Sequence, residues 1–124
     1  MADSSTVLLV DDDPLARKLY RAQLADSGFV VAEASSGIEA VELAERESFA
    51  VVIMDLAMPG LDGWMAMSLI RARRPSLPII VLTNSAGPDI ERRAEQAGAA
   101  GFLTKPCSSE LLKRTISKAV RHGK

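Results

Sequence analysis

The stretch that decides the fold reads Ala50-Val51-Val52-Ile53-Met54-Asp55-Leu56-Ala57-Met58-Pro59-Gly60-Leu61-Asp62-Gly63. Its first part is an apolar run of strand length, rich in the Val and Ile that suit a strand covered on both faces. Its far end carries Asp62, placed to cap the helix that follows. Between them, where the buried run stops, stands a carboxylate, Asp55.

The same alternation extends in both directions. Val7-Leu8-Leu9-Val10 and Phe29-Val30-Val31-Ala32 precede it, Ile79-Ile80-Val81-Leu82 follows, and Ala99 to Leu103 makes a weaker fifth run. Helix signals fall between the runs. Asp13-Pro14 reads as an N-cap with proline at the first helical position, and the period puts Leu15, Leu19 and Ala22 on one face, with Gly28 just past the end. Ser36 with Glu39 forms a capping box ahead of Ile38, Val41 and Leu43, expected to point inward. The third helix carries Met65, Leu69 and Ile70 and stops before Pro75. The fourth, Asp89 to Gln96, is polar, with Ile90 and Ala94 as its apolar anchors, and is expected to be the mobile element. The fifth starts near Ser108 or Ser109 and uses Leu111, Leu112, Ile116 and Val120. Five strand–helix units with short connections predict an α/β fold with right-handed crossovers: a doubly wound, five-stranded parallel sheet with helices on both faces.

The chain of 124 residues fits one domain, 1–124 with a core at about 6–121, and has 48% hydrophobic and 25% charged residues. A net charge of −1 argues against nucleic acid or a membrane surface as a partner on overall balance. No apolar run is long enough to span a bilayer, Met1 to Thr6 is polar, and Cys107 is the single cysteine, so a cytoplasmic setting is expected.

In an open parallel sheet, ligands bind beyond the carboxyl ends of the strands. Those ends carry Asp11-Asp12, Asp55, Thr83 and Lys105-Pro106. Three ionised carboxylates brought together repel one another unless a cation lies among them, and hard oxygen donors suit Mg²⁺. Lys105 would supply a compact positive charge opposite, and the Thr83 hydroxyl a donor for a phosphoryl oxygen. A carboxylate held between metal and lysine is a natural nucleophile, and in-line transfer depends mainly on such positioning. Asp13, by contrast, reads as a helix cap.

Val10-Asp11-Asp12-Asp13, the run Met54 to Gly63, Leu82-Thr83 and Phe102-Leu103-Thr104-Lys105-Pro106 together resemble the signature of two-component response regulator receiver domains, from about Thr6 to Arg121. The resemblance implies the flavodoxin-like, chemotaxis-regulator-like fold with strand order 2-1-3-4-5. It implies Asp55 as phosphoryl acceptor, Mg²⁺ held by Asp11, Asp12, Asp55 and the Ala57 backbone carbonyl, and Thr83 and Lys105 on the phosphoryl group. It implies a cis Lys105-Pro106 bond, a switch built on Thr83 and Phe102, and the face formed by the fourth helix, fifth strand and fifth helix as the output surface. The implied donor is a phosphohistidine on a sensor histidine kinase or a histidine phosphotransfer protein. The implied receiver of the signal is a downstream protein or an attached output domain, with a phosphorylation-dependent homodimer as a further partner. Such a domain assists its own modification without being an enzyme in the turnover sense.

Ala57 and Ser85 stand two residues after Asp55 and Thr83, where in this family a side chain can orient the attacking water. Neither does so well, which predicts slow self-dephosphorylation. Asn84 occupies a place where the family usually has a small residue. Two other classes compete: an aspartyl-nucleophile phosphohydrolase with Asp11 as nucleophile and Asp13 as acid, and a binding-only pseudo-receiver. The first wants a cap segment and substrate pocket, and the second usually lacks an acidic, acceptor or lysine position that is present here. His122 reads as an exposed tail residue and Trp64 as packing. Cys107 reads as inert, and Lys113, Arg114, Lys118 and Arg121 as a solvated face.

Overall fold

In the computed structural model, residues 6–84 and 87–122 are described, those at 121–122 by backbone only. Ser85 and the side chains of Arg121 and His122, on which expectations were placed, lie outside these. The elements alternate throughout: β1 Thr6–Val10, α1 Pro14–Asp26, β2 Val30–Ala34, α2 Gly37–Arg46, β3 Val51–Met54, α3 Gly63–Arg73, β4 Ile79–Thr83, α4 Pro88–Gln96, β5 Gly101–Thr104 and α5 Ser109–His122. All strand pairs are parallel, in the order β2-β1-β3-β4-β5. This is the doubly wound, flavodoxin-like sheet expected from the strand runs. The second strand lies one to two residues later than its apolar run suggested, and Val30 at its start is 58% exposed.

The three central strands are buried on both faces, which is why their sequences are continuously apolar. One face packs Leu8, Val52, Met54, Ile79 and Val81 against α2, α3 and α4. The other packs Val7, Leu9, Ile53, Ile80 and Leu82 against α1 and α5.

Several helix faces differ from the sequence reading. In α1, Leu15, Leu19 and Ala22 point to solvent, with Leu15 77% exposed, while Tyr20 and Leu24 are buried and Ala16 packs beside them. Both stripes have helical spacing, so period alone cannot choose between them. Tyr20 decides it, because its ring adds buried area and its hydroxyl accepts the Cys107 N–H at 3.2 Å. In α2 the fully buried residues are Gly37, Ala40 and Ala44; Val41 and Leu43 pack against the same core as expected, and Ile38 is exposed. The helix lies too close to α3 and the loop entering it for anything larger: a Cβ on Gly37 would sit 2.2 Å from the Leu61 carbonyl oxygen and 3.3 Å from the Ala66 Cβ. In α3, Met65 and Leu69 face out, and Ala66, Met67 and Ile70 face in. Leu111 of α5 is likewise exposed, with Leu112, Ile116 and Ala119 buried. The expected caps are present: Asp13, Ser36 and Asp62 accept from the N–H groups of Leu15, Glu39 and Met65.

Candidate functional site

Each site residue stands where a strand ends. Asp11 follows β1, whose ladder closes with the Asp11 N–H donating to the Ala34 carbonyl. Asp55 follows β3 and is tied to β1 through its N–H on the Val10 carbonyl. Thr83 is the last, fully buried residue of β4. Its carbonyl accepts the Lys105 N–H at 2.9 Å, which seats Lys105 just past β5. Lys105-Pro106 is a cis peptide, as the resemblance implied. Gly63 lets α3 close against the loop that carries Asp55, since a Cβ there would lie 2.2 Å from the Asp55 carbonyl oxygen.

Asp11, Asp12 and Asp55 come together so that one carboxylate oxygen from each lies within 4.8 Å of the others. Asp11 and Asp55 are buried, and Asp12 is exposed. Lys105 bridges the two buried ones: its Nζ is 2.5 Å from Asp11 Oδ2 and 3.3 Å from Asp55 Oδ2. The second oxygens are held by the backbone, Asp11 Oδ1 by the Asp13 N–H at 2.9 Å and Asp55 Oδ1 by the Ala57 N–H at 3.3 Å. Burial alone would lower the Lys105 pKa, but the hydrogen bond to Asp11 and the charges of Asp55 and Asp11 outweigh it. The net effect raises it above the ordinary lysine value, so the ammonium stays charged at neutral pH.

One ammonium faces three carboxylates, leaving the cluster with excess negative charge. An all-oxygen donor set with an exposed edge at Asp12 fits a hard divalent cation that keeps some of its water. The Ala57 residue is exposed, and its N–H is the group that touches Asp55. Phe102 is half-buried and packs, like Ile90 of α4 and Ala99, against the core on the α2–α3–α4 side of the sheet. Asn84 is exposed just beyond β4.

A cavity of about 740 Å³ lies elsewhere, by the amino ends of β4 and β5 between Leu77, Gly101, Leu111 and Arg114. Beside Asp55 lies a cleft of about 270 Å³, lined by Leu56, Ala57, Met58, Asp62, Trp64 and Ile90.

Three contacts escaped the sequence reading. Trp64 is more than packing, because the Arg93 guanidinium of α4 stacks over its ring at 4.0 Å. Arg17 donates to the Asp11 carbonyl at 2.7 Å and pairs with Glu33 of β2. A signal for Arg17 was available: a cation so near a helix N-terminus opposes the dipole and invites the question of what holds it. Cys107 is buried, and burial pushes its thiol pKa up, away from reactive thiolate.

A parallel sheet in this order, with an acidic triad and a lysine on its carboxyl rim, defines a class of small α/β signalling domains. The chain belongs to the response regulator receiver domain family, whose sequence model matches residues 7–117. It is similar to the transcriptional regulatory protein PdtaR of Mycobacterium tuberculosis, 43% identical over 115 residues, 92% of this chain and 56% of PdtaR. It is 38% identical over 117 residues to a cyclic di-GMP phosphodiesterase of Thermotoga maritima, covering 94% of this chain and 31% of that protein. The chain therefore spans less than two thirds of either relative. The receiver domain of sensor histidine kinase PA1611 from Pseudomonas aeruginosa PAO1 was solved with a magnesium ion coordinated in its active site cleft. It matches with a TM-score of 0.87 at 34% identity, covering 94% of this chain and 98% of that one. Among the described residues, no helix is long and apolar enough to cross a membrane.

Proposed function

We propose that residues 6–121 act as one cytoplasmic receiver unit in which Asp55 accepts a phosphoryl group from a phosphohistidine on a sensor kinase or phosphotransfer protein. The observation that carries this reading is the Lys105 ammonium shared between Asp11 and Asp55 on a rim of three carboxylates. An Asp55 carboxylate oxygen attacks phosphorus in line; the P–O bond forms as the P–N bond breaks, giving an acyl phosphate and free histidine. Lys105 stays charged throughout and turns from Asp55 to an incoming phosphoryl oxygen, and the Thr83 hydroxyl donates to another. Asp11, Asp12, Asp55 and the Ala57 carbonyl would hold Mg²⁺, which when bound neutralises carboxylate and phosphoryl charge. The magnesium in the PA1611 receiver supports this assignment.

The exposed Leu15 and Leu19 lie on the helix that starts at this rim, which suits a protein donor. Phosphorylation would draw Thr83 toward the phosphoryl group and Phe102 inward. Phe102 has no hydroxyl to bury, so its inward position costs no lost hydrogen bond. The α4–β5–α5 surface would then address a downstream protein, an attached output domain or a second copy. Ala57, exposed and without a polar side chain, supports a long-lived acyl phosphate.

Two observations weigh against a phosphohydrolase with Asp11 as nucleophile and Asp13 as acid. Both Asp11 oxygens are engaged, and the Asp13 carboxylate is spent capping α1. Transfer from a radiolabelled phosphohistidine donor tests the proposal. Wild type should take up label that persists for far longer than seconds, and Asp55→Asn should take up none. Labelled Asp55→Asn, or turnover of small phosphate esters, would refute it.

A further inference from the structure

Asp12 is exposed, and among the described residues no hydrogen bond holds its carboxylate, so its place on the rim depends on the backbone that carries it. That backbone is held from one side. The Arg17 guanidinium donates through NH1 to the Asp11 carbonyl at 2.7 Å, at the point where the β1–β2 ladder ends. Its Nε donates to Glu33 Oε1 at 3.2 Å, and Arg21 occupies the other Glu33 oxygen at 3.2 Å. A planar fork that ties a carbonyl to a carboxylate fixes the orientation of the Asp11-Asp12 peptide plane in a way a mobile chain could not. Arg17 itself is mostly covered, its side chain 20% exposed.

We infer that Arg17, anchored by Glu33, is a positioning residue that sets the Asp11-Asp12 peptide for divalent-cation binding. This deepens the reading of the rim as a Mg²⁺ site and rests on it. Two physical roles for Arg17 predict opposite signs. As a mere positive charge beside an acidic cluster, it opposes Mg²⁺, and its removal should tighten binding. As a positioning group, it preorganises the ligands, and its removal should weaken binding, by about tenfold for a group that orients metal ligands.

Calorimetric titration of the full chain with MgCl₂, alongside thermal unfolding with and without Mg²⁺, separates these. Arg17→Gln should bind Mg²⁺ about tenfold more weakly than wild type, with Arg17→Lys, which keeps the charge but not the fork, in between. Glu33→Gln should weaken binding less than Arg17→Gln does, and Arg17→Lys, which leaves the charge in place so that a pure charge role predicts no change, serves as the test if Arg17→Gln does not fold. Arg21→Ala, which touches Glu33 but not Asp11, should leave the affinity unchanged. Phosphoryl uptake by Arg17→Gln should recover at saturating Mg²⁺, because what is lost is affinity. Equal or tighter Mg²⁺ binding by Arg17→Gln and Glu33→Gln would overturn the inference while leaving the site reading intact. A wild-type protein that binds no Mg²⁺ would overturn both.

Discussion

Three helices cover the same face of the sheet, yet α2 and α3 are fastened in a way that α4 is not. The α2–α3 contact is made by Gly37, Ala40, Ala44 and Ala66, small enough for backbones to approach closely. It is then stapled at its far end, where Arg74 donates from Nε to the Ala44 carbonyl and from NH2 to the Glu45 carbonyl, both at 3.0 Å. Arg73 pairs with the Glu45 carboxylate as well. These are the last carbonyls of α2, which would otherwise need water or a cap. Helix α4 has one buried anchor, Ala94, and a half-buried Ile90. Its N-cap, Gly87, offers no side-chain hydrogen bond, and α3 reaches it through the Arg93–Trp64 stack and, just past its end, through a single bond from Arg71 to the Gly98 carbonyl at 3.1 Å. The acceptor loop is thus built on the stiff pair, and the thinly held helix belongs to the surface proposed for output. On the proposed function, chemistry that needs fixed geometry and signalling that needs movement would fall to different helices.

Substitutions can break each fastening in turn. The largest loss is expected from Gly63→Ala, because the new Cβ meets the Asp55 carbonyl and the Leu56 Cα, backbone atoms that cannot swing away. A destabilisation of about 3 kcal/mol in urea unfolding is expected, with phosphoryl uptake impaired as well. Arg74→Ala removes two hydrogen bonds from the end of α2 and should cost about 1–2 kcal/mol, with faster amide exchange in the last turn of α2. Arg93→Ala should cost at most about 1 kcal/mol, but should speed exchange in α4 while leaving α2 and α3 as they were. If Arg93→Ala loosened α2 equally, the two regions would not be separate.

The smallest effect concerns pH. The folded-state pKa of Lys105 is raised, so the stability it contributes is complete below the ordinary lysine value and is lost as pH rises through the folded value. The stability difference between wild type and Lys105→Met should therefore be flat through the neutral range and shrink only in strong alkali. A difference that changed between mildly acidic and neutral pH would point to another titrating group.

The sequence showed most plainly what burial on both faces dictates. Val7 to Val10, Val51 to Met54 and Ile79 to Leu82 read as strands covered on both faces and are so, with polar residues at their ends on the rim, while Phe29 to Ala32 reads the same way and belongs to an edge strand. It showed helix positions through caps such as Asp13 and Asp62, but not helix faces. Leu15 and Leu19 follow the same period as Ala16 and Tyr20, and only the sheet decides which stripe it covers. The α2 face misled for a different reason: close approach to α3 selects Gly37 and Ala40, so the bulkier Ile38 is turned outward. Arg17 was missed because its value lies in joining the Asp11 carbonyl to a carboxylate on the neighbouring strand, a pairing that no local pattern contains.

The central claim is that Asp55 is the acceptor, and peptide-resolved mass spectrometry after treatment with phosphoramidate and Mg²⁺ tests it most directly. One phosphoryl group per chain is expected, on the peptide carrying Asp55, absent when Mg²⁺ is chelated and released by hydroxylamine as an acyl phosphate would be. Phosphoryl mass on any other residue, or undiminished incorporation in Asp55→Asn, would contradict it.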